Sequence, residues 1–260
     1  MAVLHSNGLD IYYQSHGQGD LLLLLHGFGG TGHSDWRFQI PVFSERFQVL
    51  APDLRGHGRT DHPEAVSGPQ FFDQATEDMV GLLKSLDGSP AHVCGFSMGS
   101  SIAAWLYFRD PSLVRSLILV SGAARVNREI APGLFALWES MRDPDRIQEG
   151  WAKTLARLHG EENWRRLVRN YAVAVISRVD GDEDVAYRRG GEITCPTLIV
   201  QGSEDKLSPR LLSDELHAVI PDSELVLLPT EHWVPGLQPA AFNAAILDFL
   251  ERRFQPEGLQ

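Results

Sequence analysis

Gly95-Phe96-Ser97-Met98-Gly99 is the stretch of sequence that decides the fold. It follows an apolar run, Ala91–Cys94, and precedes a helical pattern, Ser100–Arg109. This is G-x-S-x-G in the order strand, sharp turn, helix, which presents a serine hydroxyl at the head of a helix. The flanking glycines relieve crowding in a strained turn, and the helix dipole favours negative charge there. The pattern predicts Ser97 as a nucleophile; the alternative is an N-cap serine after a glycine turn.

Outward from this turn, short apolar runs alternate with amphipathic segments. The runs are almost wholly apolar, as in central strands of a parallel sheet that is buried on both faces. Predicted strands are Leu21–Leu25, Gln48–Ala51, Ala91–Cys94, Val114–Val120, Thr197–Gln201 and Glu224–Leu228. Predicted helices are Trp36–Phe47, Phe71–Leu86, Ser97–Arg109, Pro209–Val219 and Pro239–Phe254. A hairpin over Val3–Ser6 and Leu9–Ser15, turning at Asn7-Gly8, precedes them. The alternation predicts a doubly wound α/β sheet.

One stretch, from Gly122 to about Glu192, interrupts the alternation because it contains no convincing strand. Its pattern predicts four successive short helices, Leu134–Met141, Arg146–His159, Asn163–Ser177 and Glu183–Arg189. Such an insertion is either a lid over a site at the strand carboxyl ends or packing on the sheet edge, and we favour the lid.

Four further motifs each follow a predicted strand. They are His26-Gly27-Phe28-Gly29-Gly30, Asp53-Leu54-Arg55-Gly56-His57-Gly58, Gly202-Ser203-Glu204-Asp205 and Glu231-His232-Trp233. Together with the Ser97 turn, and in this order, they resemble the serine hydrolase branch of the α/β-hydrolase fold superfamily over essentially the whole chain. The resemblance implies a mostly parallel central sheet flanked by helices. It implies a hydrolase core over residues 1–122 and 193–260, with a helical cap at 123–192 inserted before the late strands.

The resemblance also implies a catalytic triad in the chain order serine, acid, histidine. A serine needs a general base, and the base needs an orienting carboxylate. Of ten histidines, His232 alone follows the last strand in a loop before the last helix, which makes it the expected base. The family pattern G-x-x-D selects Asp205 as the acid, with Glu204 as its competitor. Glu231 is either a solvated loop charge or, if it points inward, raises the imidazole pKa.

By motif position, the backbone N–H groups of Phe28 and Met98 are the expected oxyanion donors. The side chains of Phe28, Met98 and Trp233 are the expected substrate contacts. No cluster has metal-ligand spacing and no phosphate loop occurs, so we expect neither a metal nor a cofactor.

The serine at position 97 argues against the aspartate branches, namely haloalkane dehalogenases and epoxide hydrolases. Amino-acid ester hydrolases, typified by valacyclovir hydrolase, resemble the chain in part but carry an acidic residue where Met98 stands. The Ser-Met-Gly turn with Phe28 is closer to carboxylesterases and enol-lactonases. We therefore expect hydrolysis of carboxylic esters of small neutral substrates. The alternatives are a C–C bond hydrolase, a lactonase, a perhydrolase, or a small-molecule receptor of the same fold with little turnover.

Composition bounds the partners. The 260 residues include 23 Lys and Arg and 34 Asp and Glu, for a formal net charge of −11. With this negative charge, we expect no basic surface that would bind nucleic acid or an anionic membrane. The two cysteines do not suggest a disulfide scaffold, and no signal segment or membrane span is evident. We expect a cytoplasmic monomer or homodimer that acts on a small-molecule ester.

Overall fold

A computed structural model describes residues 2–63, 70–86, 90–180, 186 and 188–254. Within them lies one eight-stranded sheet. Its strands are β1 (Ala2–Ser6), β2 (Leu9–His16), β3 (Leu21–Leu25), β4 (Gln48–Pro52), β5 (Ala91–Phe96), β6 (Val114–Val120), β7 (Thr197–Gly202) and β8 (Ser223–Leu228). All the predicted strands are present, with ends that move by two residues at most.

The strand order across the sheet is β1-β2-β4-β3-β5-β6-β7-β8. The pairs β1–β2 and β2–β4 are antiparallel, and every other pair is parallel. The chain leaves β3 toward β4 on one side and returns to β5 on the other, so the order reverses at β3. Loops at the carboxyl ends of strands diverge at such a switch point and leave a crevice for a ligand.

Ten α-helices surround the sheet in the described part of the chain. They are α1 (Gly32–Trp36), α2 (Ile40–Phe43), α3 (Gln70–Ser85), α4 (Met98–Arg109), α5 (Pro132–Met141), α6 (Glu149–His159), α7 (Asn163–Asp180), α8 (Arg210–Val219), α9 (Val234–Leu237) and α10 (Pro239–Phe254). Alternate leucines of β3 enter two separate apolar clusters, one on each face of the sheet. This period of two explains why the strand reads as unbroken leucine.

The expected single helix Trp36–Phe47 is wrong. The chain instead forms α1 and α2, separated by a turn. The start of α1 is fixed by Thr31, whose hydroxyl accepts the Ser34 N–H in a capping box. Pro41 has no N–H to donate to an earlier turn, so a new helix begins beside it instead.

Between β6 and β7 the described residues form α5, α6 and α7 and contain no strand. The helix expected over Arg146–His159 begins three residues later, at Glu149, after a 3₁₀ turn, Pro144–Arg146. Most of the expected fourth helix, Glu183–Arg189, lies outside the described residues. Buried side chains of the three helices share one apolar cluster with α3 and α4. None of the helices described is both long and apolar enough to cross a membrane.

Candidate active site

The turn after β5 holds Ser97 in a conformation that few residues adopt. Its φ is +51° and its ψ −111°, immediately before the first residue of α4. A positive φ at a residue other than glycine costs about 1–3 kcal/mol and persists where the surroundings enforce it. A Cβ on Gly95 would meet the backbone of Gly99, and one on Gly99 would meet the carbonyl of Leu25. Gly95 therefore allows the start of α4 to pack closely on β5, and Gly99 allows it to pack closely on the end of β3.

A chain of hydrogen bonds joins the three residues predicted as a triad. The Oγ atom of Ser97 lies 3.0 Å from Nε2 of His232. The Nδ1 atom of the same ring lies 2.7 Å from Oδ2 of Asp205. The carboxylate is fully buried, whereas 19% of the histidine side chain is exposed. The carboxyl ends of β5, β7 and β8 bring the three residues together across the sheet.

Three N–H donors surround the carboxylate of Asp205 besides the His232 imidazole. The N–H groups of Leu207 and Ser208 donate to Oδ1 at 2.8 and 2.9 Å. Gln201 Nε2 donates to Oδ2 at 3.1 Å, beside the imidazole. The competing carboxylate, Glu204, is exposed. The geometry therefore favours Asp205 as the partner of His232.

The loop that carries His232 is held by a residue that sequence reasoning did not single out. Ser121, after β6, has a φ of +48° and donates its hydroxyl to the His232 carbonyl at 2.9 Å. A positive φ is not visible in a sequence, so nothing there marks Ser121. Glu231, the residue before His232, is exposed, which agrees with its interpretation as a solvated loop charge.

The loop His26–Gly30, here called the Gly-rich loop, runs beside Ser97. A Cβ on Gly27 would lie 3.5 Å from the Ser97 Cβ. The Gly27 carbonyl accepts from His26 Nδ1 at 2.7 Å and from the Gly30 N–H at 3.2 Å. Because a trans peptide points its N–H opposite to its C=O, the Phe28 N–H is directed away from His26. The Met98 N–H is at the first residue of α4, where it has no acceptor within the helix.

Three buried imidazoles lie behind the Gly-rich loop. Ring centroids are 4.9 Å apart for His26 and His57, and 5.3 Å apart for His57 and His159. Burial lowers the pKa of His26 and of His159 to about 4. Burial, reinforced by the neighbouring His26, holds the pKa of His57 well below its usual range. All three are therefore neutral at pH 7 and act as hydrogen-bonding groups.

A cavity of about 220 Å³ opens beside Ser97 and His232. Its lining is mostly apolar and includes Phe28 and Met98, two of the three expected substrate contacts. Helices α5 and α7 supply much of the wall, including Trp138 and Tyr171. The Phe28 ring stacks on Tyr171 with centroids 4.0 Å apart. The sequence shows neither the contribution of α5 and α7 to the wall nor the stacking of Tyr171 on Phe28, because both depend on how the insertion packs.

Trp233 is the expected substrate contact that the structure does not bring to this cavity. Its indole lies beneath the Arg37 guanidinium, 4.8 Å from the ring centroid, and packs with the apolar cluster that contains α10. The backbone turns into α9 at this residue, so His232 faces the cavity while its neighbour faces the other side of the sheet.

Arg178 on α7 is the one charged side chain among the described residues that line the cavity, apart from the titratable His232. Its guanidinium lies over the rings of Phe72 and Trp105, at 5.0 and 4.7 Å from their centroids. No carboxylate is among these lining residues. In the described chain no group of three or more His, Cys, Asp and Glu side chains could hold a metal ion.

Comparisons with known proteins identify the family to which the chain belongs. A family model described as alpha/beta hydrolase fold matches residues 20–238. The chain is 30% identical over 256 residues to Serine hydrolase BPHL from Homo sapiens, covering 94% of this chain and 84% of that protein. It is also 30% identical over 275 residues to "Putative carbamate hydrolase RutD" from Azorhizobium caulinodans, covering 96% and 98%.

Among solved structures, the enol-lactonase from Burkholderia xenovorans LB400 superposes with a TM-score of 0.77 at 23% identity. The match covers 96% of this chain and 99% of that one, which shows a shared fold. The family match spans most of the chain. The chain therefore belongs to the alpha/beta hydrolase fold family and is a hydrolase.

Proposed function

We propose that this hydrolase cleaves carboxylic esters of small neutral substrates through an acyl-enzyme formed on Ser97. The observation that carries the proposal is the hydrogen-bonded chain Ser97–His232–Asp205, whose serine opens into an apolar cavity. A serine hydroxyl becomes an effective nucleophile when a neutral imidazole takes its proton, and His232 Nε2 lies within hydrogen-bond reach of Ser97 Oγ here.

In the proposed mechanism, Ser97 Oγ attacks the ester carbonyl while His232 Nε2 takes its proton. Asp205 stabilises the imidazolium and holds the Nδ1–H tautomer. The N–H groups of Phe28 and Met98 donate to the oxyanion of the tetrahedral intermediate. His232 then protonates the departing alcohol, and a water repeats the sequence to release the acid. Loss of one oxyanion donor costs about 10²–10³ in kcat.

The composition of the cavity wall supports a neutral acyl group. Each methylene buried against apolar side chains is worth about 0.8 kcal/mol, or roughly fourfold in kcat/KM. An α-ammonium group would find no carboxylate among the described lining residues, and it would share the cavity with Arg178. A buried charge without a counter-charge is costly, so amino-acid esters should be poor substrates.

We also propose that residues 123–192 act as a lid, since α5 and α7 close the cavity over Ser97. Lids of this kind exclude water from an acyl transfer and shape the acyl pocket. The cytoplasmic location and the monomeric or homodimeric state stay predictions from the sequence.

The test is a matched pair of esters of one alcohol, nitrophenyl butyrate and the nitrophenyl ester of valine. We expect a higher kcat/KM for the butyrate, and we expect Met98→Asp to narrow the gap. A wild-type preference for the valine ester would refute the neutral-substrate proposal.

The remaining alternatives are separated in the same experiment. The same assay should be run with lactones, aryl carbamates and aromatic ring-cleavage products, because the similar proteins include a structural neighbour that is an enol-lactonase and a relative named "Putative carbamate hydrolase RutD". A lactone or C–C substrate that exceeds every ester would replace the ester assignment. Binding with negligible turnover across the panel would favour a receptor.

A further inference from the structure

Helix α6 of the insertion lies against the Gly-rich loop through one face. Trp151, Leu155 and His159 are four residues apart, so their side chains project from the same side of the helix. Trp151 meets the Phe28 ring edge-on, with centroids 6.4 Å apart. A Cβ on Gly29 would lie 3.0 Å from a methyl of Leu155. His159, at the end of α6, makes the polar contact of this face.

Both ring nitrogens of His159 bond to backbone of the core. Nε2 lies 3.1 Å from the Gly29 carbonyl oxygen, and Nδ1 accepts the Gly58 N–H at 2.9 Å. These partners require the neutral ring with its proton on Nε2. The residue is 2% exposed, so water does not compete for either bond. The imidazole therefore ties the insertion to two loops of the core.

The bond to Gly29 is linked to the Phe28 N–H through two peptide planes. The carbonyl held by His159 belongs to the Gly29–Gly30 peptide, whose N–H donates to the Gly27 carbonyl at 3.2 Å. That carbonyl belongs to the Gly27–Phe28 peptide, whose N–H points in the opposite direction. Fixing the first plane therefore constrains the second.

Constraint from outside is needed because the loop is intrinsically free to move. Gly29 has a φ of +76°, and the next residue is also a glycine. Glycine reaches many backbone conformations at little cost, so two in succession give the loop little stiffness of its own. His26 and His57 contact the loop from the core side, at the Gly27 carbonyl and the Gly29 N–H. His159 contacts it from the insertion.

We propose that His159 is a positioning residue, by which the insertion holds the Phe28 N–H in the orientation that stabilises the oxyanion. This inference rests on the proposed function, in which that N–H is an oxyanion donor. It makes the insertion part of the catalytic apparatus as well as a wall of the pocket. Loss of the bond loosens one donor without removing it, so the expected effect on kcat is about tenfold, below the 10²–10³ for a lost donor.

The test compares three replacements of His159. Leucine removes both hydrogen bonds. Glutamine can place an amide N–H near the position of Nε2, whereas asparagine can place its amide oxygen near that of Nδ1. We expect His159→Leu and His159→Asn to lower kcat for nitrophenyl butyrate about tenfold with KM changed less than twofold. We expect His159→Gln to recover most of the loss.

A matched control separates positioning from general destabilisation. His92 is also a buried histidine, 1% exposed, bonded through Nδ1 to the Ser116 hydroxyl. It lies five residues before Ser97 along β5, or about 16 Å at the usual strand rise. His92→Leu should lower the Tm and leave kcat unchanged well below that Tm. Equal losses of kcat in His92→Leu and His159→Leu would overturn the inference.

Other outcomes are equally decisive. If the wild type hydrolyses the ester and His159→Leu keeps the full wild-type kcat, the role of His159 is refuted and the proposed function stands. If the wild type hydrolyses no ester, the proposed function fails; the inference is then read from the rate at which a fluorophosphonate labels Ser97. That adduct also places an oxygen against the Phe28 N–H, so an unchanged labelling rate in His159→Leu would contradict the inference.

Discussion

Replacing Asp205 by asparagine changes one side-chain oxygen to an NH₂ group in a site where backbone donors fix the orientation of the new amide. Two backbone N–H groups, from Leu207 and Ser208, converge on Oδ1. Only an oxygen can accept them, so the asparagine carbonyl must take that position. The amide NH₂ then faces His232 Nδ1, where the carboxylate Oδ2 stood at 2.7 Å.

The amide reverses the tautomer of the base. An NH₂ group donates, so His232 Nδ1 becomes an acceptor and the ring proton moves to Nε2. Nε2 then cannot take the proton of Ser97, which lies 3.0 Å away. In serine proteases the equivalent change lowers kcat about 10⁴-fold. We expect a similar loss here, equivalent to about 5.5 kcal/mol of transition-state stabilisation.

The assay is kcat/KM for nitrophenyl butyrate at pH 8, with the Tm as a check on folding. Asparagine has nearly the shape of aspartate, so the fold should survive. Glu204→Gln is the matched control, because this neighbouring carboxylate is exposed. Near-wild-type activity in Asp205→Asn, or a larger loss in Glu204→Gln, would refute the assignment of the acid.

Three further outcomes are expected. Glu231→Gln should leave the pH at half-maximal activity unchanged, because Glu231 is exposed; a shift to lower pH would place the carboxylate against the imidazole. Gly29→Ala should lower both the Tm and kcat, since the position has a φ of +76° and contacts Leu155; a variant with wild-type Tm would contradict that strain. The free energy of unfolding should fall as the pH is lowered from 6.5 toward 4. In this range histidines are protonated in the unfolded chain, whereas the buried histidines of the folded protein stay neutral. Each such histidine contributes about 1.4 kcal/mol per pH unit. The histidines with a folded pKa of about 4 are His26, His92 and His159. Burial raises the pKa of Asp35 to about 6 and also raises that of Asp53, which acts in the opposite direction, but these are two groups against three histidines, and the pKa of His57 is lowered as well. Urea unfolding at pH 7 and pH 5 measures the difference, and equal stability at the two would contradict it.

Much of the fold could be predicted because buried parallel strands leave a plain pattern. Apolar runs such as β3 and β7 can lie only inside a sheet covered on both faces. The helix after β3 was predicted wrongly because α1 begins at a capping box on Thr31 and a second helix, α2, begins beside Pro41, and the spacing of apolar residues shows neither feature.

The residues of the proposed triad could be predicted from the sequence for a similar reason. Ser97, Asp205 and His232 each follow a strand, and strand order alone brings the ends of parallel strands to one edge. The contacts of the insertion could not be predicted from the sequence. Which ring stacks on Phe28, and which histidine reaches Gly29, depends on the packing of helices that have no fixed register with the core. Trp233 shows the same limit, because one residue of backbone turn decides whether a side chain faces the cavity.

The most direct measurement of the central proposal is the intact mass of the protein during turnover of nitrophenyl butyrate, quenched within the first turnovers. We expect a covalent butyryl adduct that peptide mapping assigns to Ser97, and neither adduct nor turnover in Ser97→Ala. An adduct on another residue, or ester hydrolysis retained in Ser97→Ala, would contradict an acyl-enzyme at this serine.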